Sequence, residues 1–77
     1  MFTIGQVAKK YALSRSTLLY YDSIGLLSPD GRSESNYRLY SELDLQKMDR
    51  IRLFRSAGLS LEAIAPLLQK QGGDLEA

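Results

Sequence analysis

Apolar residues recur at helical spacing in four stretches of this chain, and polar, turn-forming residues separate them. In the first stretch Ile4, Val7, Ala8 and Tyr11 share one face. Thr3 followed three residues later by Gln6 is a capping-box signature, so a helix is predicted over residues 4–11. Ala12-Leu13 then turns, and Ser14 caps a second helix reaching about Ile24, with Leu18, Tyr21 and Ile24 as a narrow inward stripe. Gly25 ends it at the left-handed position that glycine tolerates best. Two short helices joined by a tight turn form a helix-turn-helix, and the small Ala8 lets them cross closely. Such turns often need a positive φ, so Ala12 is expected to be modestly strained.

Beyond Gly25, Leu26-Leu27 and Tyr37–Leu39 read as two short strands around the polar, turn-rich residues 28–36. A β-hairpin in this place makes a wing. Asn36, which tolerates left-handed geometry, is positioned to shape its tip. Ser41 with Asp44 caps a third helix from Glu42 to about Ala57, striped by Leu45, Met48, Ile51 and Phe54 and stopped by Gly58. Ser60 caps a fourth, with Leu61, Ile64, Leu67 and Leu68 inward. Pro66 lies inside it at a cost of about 3 kcal/mol in a regular helix, so a kink or a tight first turn is expected. The pattern gives a mainly α fold with a small β-hairpin: a winged helix-turn-helix of four helices over residues 1–70, with 71–77 as a tail or the start of a linker.

Seventy-seven residues make one small domain, near the size where a single core is marginal. The chain has no cysteine and no histidine, which removes disulfides, the usual zinc sites and a thiolate sensor from this segment. The same inventory weakens an enzyme reading, since a general base would have to be a carboxylate, tyrosine or lysine. The acids are scattered without pairing, there is no Gly-rich phosphate loop, and no cofactor is expected. No apolar run approaches the ~20 residues that span a bilayer, and the N-terminus lacks the pattern of a signal peptide. A cytoplasmic protein without membrane contact is the default expectation. The net charge is only +1, but it is unevenly spread. Residues 1–58 carry nine basic against six acidic side chains, and residues 59–77 one against three. Local charge is what a phosphate feels within a Debye length of ~8–10 Å.

Four of the five tyrosines fall in two clusters, Tyr20-Tyr21 and Tyr37 to Tyr40 with Arg38 between. Phenol and guanidinium both donate hydrogen bonds to phosphate oxygens, so the grouping suits a DNA surface. Ser14, Arg15, Ser16 and Thr17 open the second helix, where recognition helices contact bases. Arg15 is the best base reader or phosphate clamp of the set, because a guanidinium bonds guanine or phosphate at two points. The bland alternative is a solvated surface charge. Adjacent helical residues diverge by about 100°, so Tyr20 and Tyr21 cannot both be core. Tyr21 is expected to pack and Tyr20 to face DNA. In the hairpin Tyr37 and Leu39 share one face, Arg38 and Tyr40 the other, and Tyr40 is expected to be structural. Arg52 and Arg55, one turn apart, are either a solvated face or, for Arg55, a phosphate contact from a second wing.

Taken together, Thr3–Ala8, Ser14–Leu27 with its Thr17-Leu18-Leu19-Tyr20-Tyr21-Asp22 core, Asn36–Ser41 and Arg55–Leu61 resemble the mercury-resistance-regulator (MerR) family of bacterial transcription factors over residues 2 to about 68. The resemblance implies DNA contacts, mostly to the backbone, from Tyr20, Tyr21, Tyr37, Arg38 and Arg55. It implies a homodimer joined through a long helix beyond this chain, an effector-sensing region past that helix, and promoter distortion that serves RNA polymerase indirectly. The chain is then expected to be the DNA-binding fragment of a longer protein. Leu19 and Ser16 stand where the family commonly has basic residues, and Ala12 and Asn36 where it commonly has glycine. Two rival readings stay open: a small excisionase-like architectural factor, and a winged-helix module for protein interaction.

Overall fold

The computed structural model of the protein describes the backbone of residues 1–74 and the side chains of residues 1–69. The chain divides into two compact units at Gln46/Lys47, inside the third helix.

The first unit begins with β1 (Phe2–Thr3) and α1 (Ile4–Tyr11). The capping box forms as the sequence predicts: Thr3 Oγ1 accepts from the Gln6 amide at 3.1 Å, and Gln6 Oε1 from the Thr3 amide at 2.8 Å. Val7, Ala8 and Tyr11 are buried on one face, and the Tyr11 hydroxyl donates to the Leu45 carbonyl at 3.1 Å. Ala12 takes the left-handed conformation, with φ 54°. The Leu13 amide bonds the Ala8 carbonyl at 2.9 Å and the Ala12 amide the Lys9 carbonyl, which is a Schellman cap built on alanine. After this three-residue turn, α2 (Arg15–Ser23) buries Leu18 and Tyr21. Ile24 does not join that stripe. It lies at the end of α2 and is exposed. A second Schellman cap closes α2 on Gly25, at φ 74°.

Leu26-Leu27 is not a strand. Both side chains are buried, but both amides donate to the Tyr21 carbonyl, at 2.9 and 3.2 Å. Backbone donors used to finish a helix are not available to a ladder. The wing is instead β2 (Gly31–Arg32) paired antiparallel with β3 (Arg38–Tyr40). Its tip is tied by the Asn36 amide to the Ser33 carbonyl (2.8 Å) and the Ser33 amide to the Tyr37 carbonyl (2.9 Å), with Asn36 at φ 66°. β1 adds to the other side of β3, pairing Phe2 with Tyr40 and Thr3 with Leu39, so the hairpin is part of a three-stranded sheet ordered β1-β3-β2. The unit ends in the first turn of α3 (Glu42–Ser56). There the buried Asp44 carboxylate accepts from the Ser41 and Asp30 amides, at 2.9 and 3.0 Å, and holds the start of the helix to the loop before the wing.

In the second unit, α3 continues with Met48 and Ile51 buried and Phe54 half-buried, and a third Schellman cap follows on Gly58, at φ 93°. α4 (Leu61–Asp74) starts at Ser60, whose carbonyl accepts from both the Ala63 amide (3.1 Å) and the Ile64 amide (3.0 Å). The first of these is an i→i+3 bond, so the first turn is tight. Ile64 is buried, Leu61, Leu67 and Leu68 are half-buried, and the helix continues through Pro66. It reaches Asp74, past the point where a tail is expected to begin, and residues 75–77 of that tail lie outside the described residues. Among the described residues no helix is long and apolar enough to cross a membrane.

Candidate nucleic-acid interface

With 100° between neighbours, the exposed residues of α2 (Arg15, Leu19, Ser23, Ser16 and Tyr20) fill one continuous sector of about 140°. Leu18, Tyr21 and the half-buried Asp22 and Thr17 occupy the rest. Tyr20 is 54% exposed and Tyr21 only 7%, so the pair splits as the helical period requires. Two of the sequence candidates are partly committed to the helix itself. Ser14 Oγ caps the Thr17 amide at 3.0 Å, and the two hydroxyls are hydrogen-bonded to each other at 2.9 Å. Ser16 and Arg15 are exposed and lack such ties.

On β3, the alternation of faces sends Tyr40 inward, fully buried, and leaves Tyr37 beside the tip 70% exposed. Arg38 is half-buried and paired: its Nε donates to Asp22 Oδ2 at 3.0 Å. Sequence reasoning missed this bond, because Asp22 carries no signal that it faces a residue sixteen positions on. The Tyr40 hydroxyl has no hydrogen-bond partner among the described residues. Burial raises its pKa above 10.0; the Asp22 carboxylate adds to the rise, Arg38 opposes it, Asp44 adds and Arg32 opposes.

Between the first turn of α1, the start of α2 and the wing lies a groove of about 290 Å³. Thr3, Ile4 and Gly5 form one side, Ser33, Tyr37, Arg38 and Leu39 the other, and Arg15 reaches in from α2. Arg15 of the second helix and the Tyr37-Arg38 pair of the wing, two separate candidates in the sequence, therefore line a single feature. Gly5 was not among the candidates, yet a Cβ placed on it would come within 2.9 Å of an Arg15 guanidinium nitrogen. Arg55 belongs to the second unit, where its Nη1 donates to the Leu59 carbonyl at 3.1 Å across the turn after α3.

The arrangement offers two guanidiniums and two exposed phenols on a basic stretch of chain, the donor set that phosphate oxygens take. Comparison with known proteins agrees with that chemistry. The chain is 38% identical over 76 residues to the HTH-type transcriptional activator TipA of Streptomyces coelicolor, covering 99% of this chain and 30% of that protein. The N-terminal structure of the Bacillus subtilis multidrug transporter activator superposes with a TM-score of 0.86 at 37% identity, over 88% of this chain and 64% of that one. HiNmlR, a MerR family regulator lacking the sensor domain and solved bound to promoter DNA, gives 0.77 at 32%, over 88% and 54%. The chain spans between 30% and 61% of the length of the first curated relatives it matches. Those relatives are transcription regulators, not enzymes. The model of the MerR HTH family regulatory proteins matches residues 2–71, nearly the whole chain, and the protein belongs to that family.

Proposed function

We propose that this chain is the double-stranded-DNA-binding part of a bacterial MerR-type transcription regulator, acting on promoter sites in the cytoplasm. The observation that carries the reading is the groove shared by Arg15, Tyr37 and Arg38, continuous in sequence and chemistry with the exposed sector of α2. In this reading α2 enters the major groove, with Ser14, Arg15, Ser16, Thr17 and Tyr20 at the DNA. The wing lays Tyr37 and Arg38 on the backbone, Tyr21 offers only its rim, and Arg55 supplies a further phosphate contact from the turn after α3. No catalytic step and no cofactor is proposed.

The longer relatives favour a regulator over an excisionase-like factor or a protein-interaction module. The complete protein then pairs as a homodimer through a helix beyond this chain, and acts on RNA polymerase by deforming promoter DNA. HiNmlR solved bound to promoter DNA, and EcmrR solved as a DNA complex in EcmrR-RPo, support action at promoter DNA. One chain covers a half-site and few phosphates, so binding should be weak and steeply salt-dependent. The test is fluorescence anisotropy on a labelled duplex across a salt series. The Tyr37→Phe, Arg38→Ala double variant should lose affinity for every sequence. Undiminished binding by that variant would sink the wing assignment, and no binding by the wild type at high micromolar protein and low salt would sink the DNA reading.

A further inference from the structure

The exposed guanidinium of Arg15 is expected, from the sequence, either to read a base or to clamp a phosphate. The structure separates the two. Arg15 does not extend from α2 toward the Ser16/Tyr20 side of the outward sector. Its guanidinium folds back over the first turn of α1, close enough that a methyl group on Gly5 would meet one terminal nitrogen at 2.9 Å, the guanidinium carbon at 3.7 Å and Nε at 3.8 Å. Those three distances place the guanidinium against the first turn of α1 at Gly5. There it lines the same groove as Arg38 and Tyr37. Among the described residues no hydrogen bond or ion pair engages it.

The groove's chemistry is of two kinds. Ile4, Leu39, the Gly5 backbone and the Tyr37 ring offer carbon, and Arg15 and Arg38 offer cationic donors. Its volume of about 290 Å³ lies at the lower edge of small-molecule sites, enough for one sugar and phosphate. We infer that this groove seats a single deoxyribose-phosphate of the DNA backbone, with Arg15 as a phosphate ligand laid against Gly5, and Gly5 as the residue that positions it. The inference rests on the DNA-binding reading above and goes beyond it. It takes Arg15 out of base recognition and leaves that task to Ser16, Leu19 and Tyr20.

Gly5 makes the assignment testable without disturbing the fold. It lies in the first turn of α1, where alanine is a better helix former than glycine by up to about 1 kcal/mol. The three nearest atoms a new methyl group would meet all belong to the far end of a flexible side chain. Gly5→Ala should therefore keep or raise the melting temperature while displacing the Arg15 guanidinium. The experiment measures affinity for a random-sequence duplex over a salt series with wild type, Arg15→Ala, Gly5→Ala and the double variant. It is paired with selection of bound sequences from a randomised duplex pool. Arg15→Ala should lower the slope of log K against log salt by about 0.9, one phosphate contact, and enrich the same sequences as wild type. Gly5→Ala should weaken binding in the Arg15 background and have no further effect once Arg15 is alanine. An unchanged salt slope with altered sequence preference in Arg15→Ala would make it a base reader and overturn the inference. So would additive losses from the two substitutions. Either result leaves the DNA-binding reading intact, since that reading fails only if the wild type binds no duplex.

Discussion

Asp22, in the last turn of α2, accepts a 3.0 Å hydrogen bond from Nε of Arg38 on β3 and so ties the second helix to the wing. The bond uses the inner edge of the guanidinium, and an arginine held there keeps its two terminal nitrogens for another partner. The pair is partly exposed, with 32% of the Arg38 side chain and 21% of the Asp22 side chain accessible, so it adds little to stability. Its value lies in fixing a long side chain before any ligand arrives.

Charge and positioning make opposite predictions for Asp22→Ala. Removing a carboxylate beside the proposed phosphate-binding face should by itself strengthen DNA binding. Releasing Arg38 should weaken it, because ordering a long side chain costs about 0.5–1.5 kcal/mol on binding. We expect positioning to win, with a roughly two- to tenfold loss of affinity in anisotropy titrations and a stability change below about 1 kcal/mol. Tighter binding by the variant would show that Asp22 only neutralises Arg38.

Tyr40 ends the same strand, and its buried hydroxyl has no partner among the described residues. A buried unsatisfied polar group costs about 1–3 kcal/mol, so Tyr40→Phe should raise the unfolding free energy by about 1 kcal/mol in urea titrations. The pH dependence gives a second check. The folded-state pKa is raised, mainly by burial, so above pH 10.0 the unfolded chain loses this proton while the folded chain keeps it. The folded state then binds more protons, and stability falls as pH rises. The Phe variant should show a shallower fall than wild type in that window, and parallel curves would contradict the assignment.

The elements that depend on neighbouring residues were legible in the sequence, and the contacts between distant residues were not. The capping box at Thr3 and Gln6, the left-handed Ala12 and Asn36, the stops at Gly25 and Gly58 and the split of Tyr20 from Tyr21 all follow from local spacing. β1 is two residues long, too short for any period to declare itself. Leu26-Leu27 looks like a strand because it is apolar and follows a glycine, but its amides are consumed by the end of α2. The candidate site divides the same way. Arg15, Tyr37 and Arg38 stood out by residue type, while Gly5 and Asp22 matter through what folds onto them, ten and sixteen residues away.

Leu19 is an exposed leucine, 39% accessible, in the middle of the outward sector of α2. In a major groove, an apolar side chain there fits the thymine methyl group, the apolar mark of a base pair. Replacing thymine by uracil removes that methyl and nothing else. On a duplex selected for binding, uracil substitution should cost wild type about 0.8 kcal/mol per contacted methyl, roughly fourfold. Leu19→Ala should bind the thymine and uracil duplexes nearly equally. An identical penalty in both proteins would remove Leu19 from base recognition.

Ala12 occupies the same position in its Schellman cap that Gly25 and Gly58 occupy in theirs, and it does so at φ 54° with a Cβ. A left-handed non-glycine residue costs about 1–2 kcal/mol, partly offset because glycine gives the unfolded chain more freedom. Ala12→Gly should therefore stabilise the protein by about 0.5–1 kcal/mol, read as a higher urea midpoint at unchanged slope. The reciprocal substitutions supply the control. A Cβ at Gly25 or Gly58 would meet nothing within 4 Å, so Gly25→Ala and Gly58→Ala carry only the backbone penalty. Each should destabilise by a similar amount. If Ala12→Gly destabilises while those two behave as expected, the turn between α1 and α2 is held by contacts of the Ala12 methyl group, and the strain assigned to it is not there.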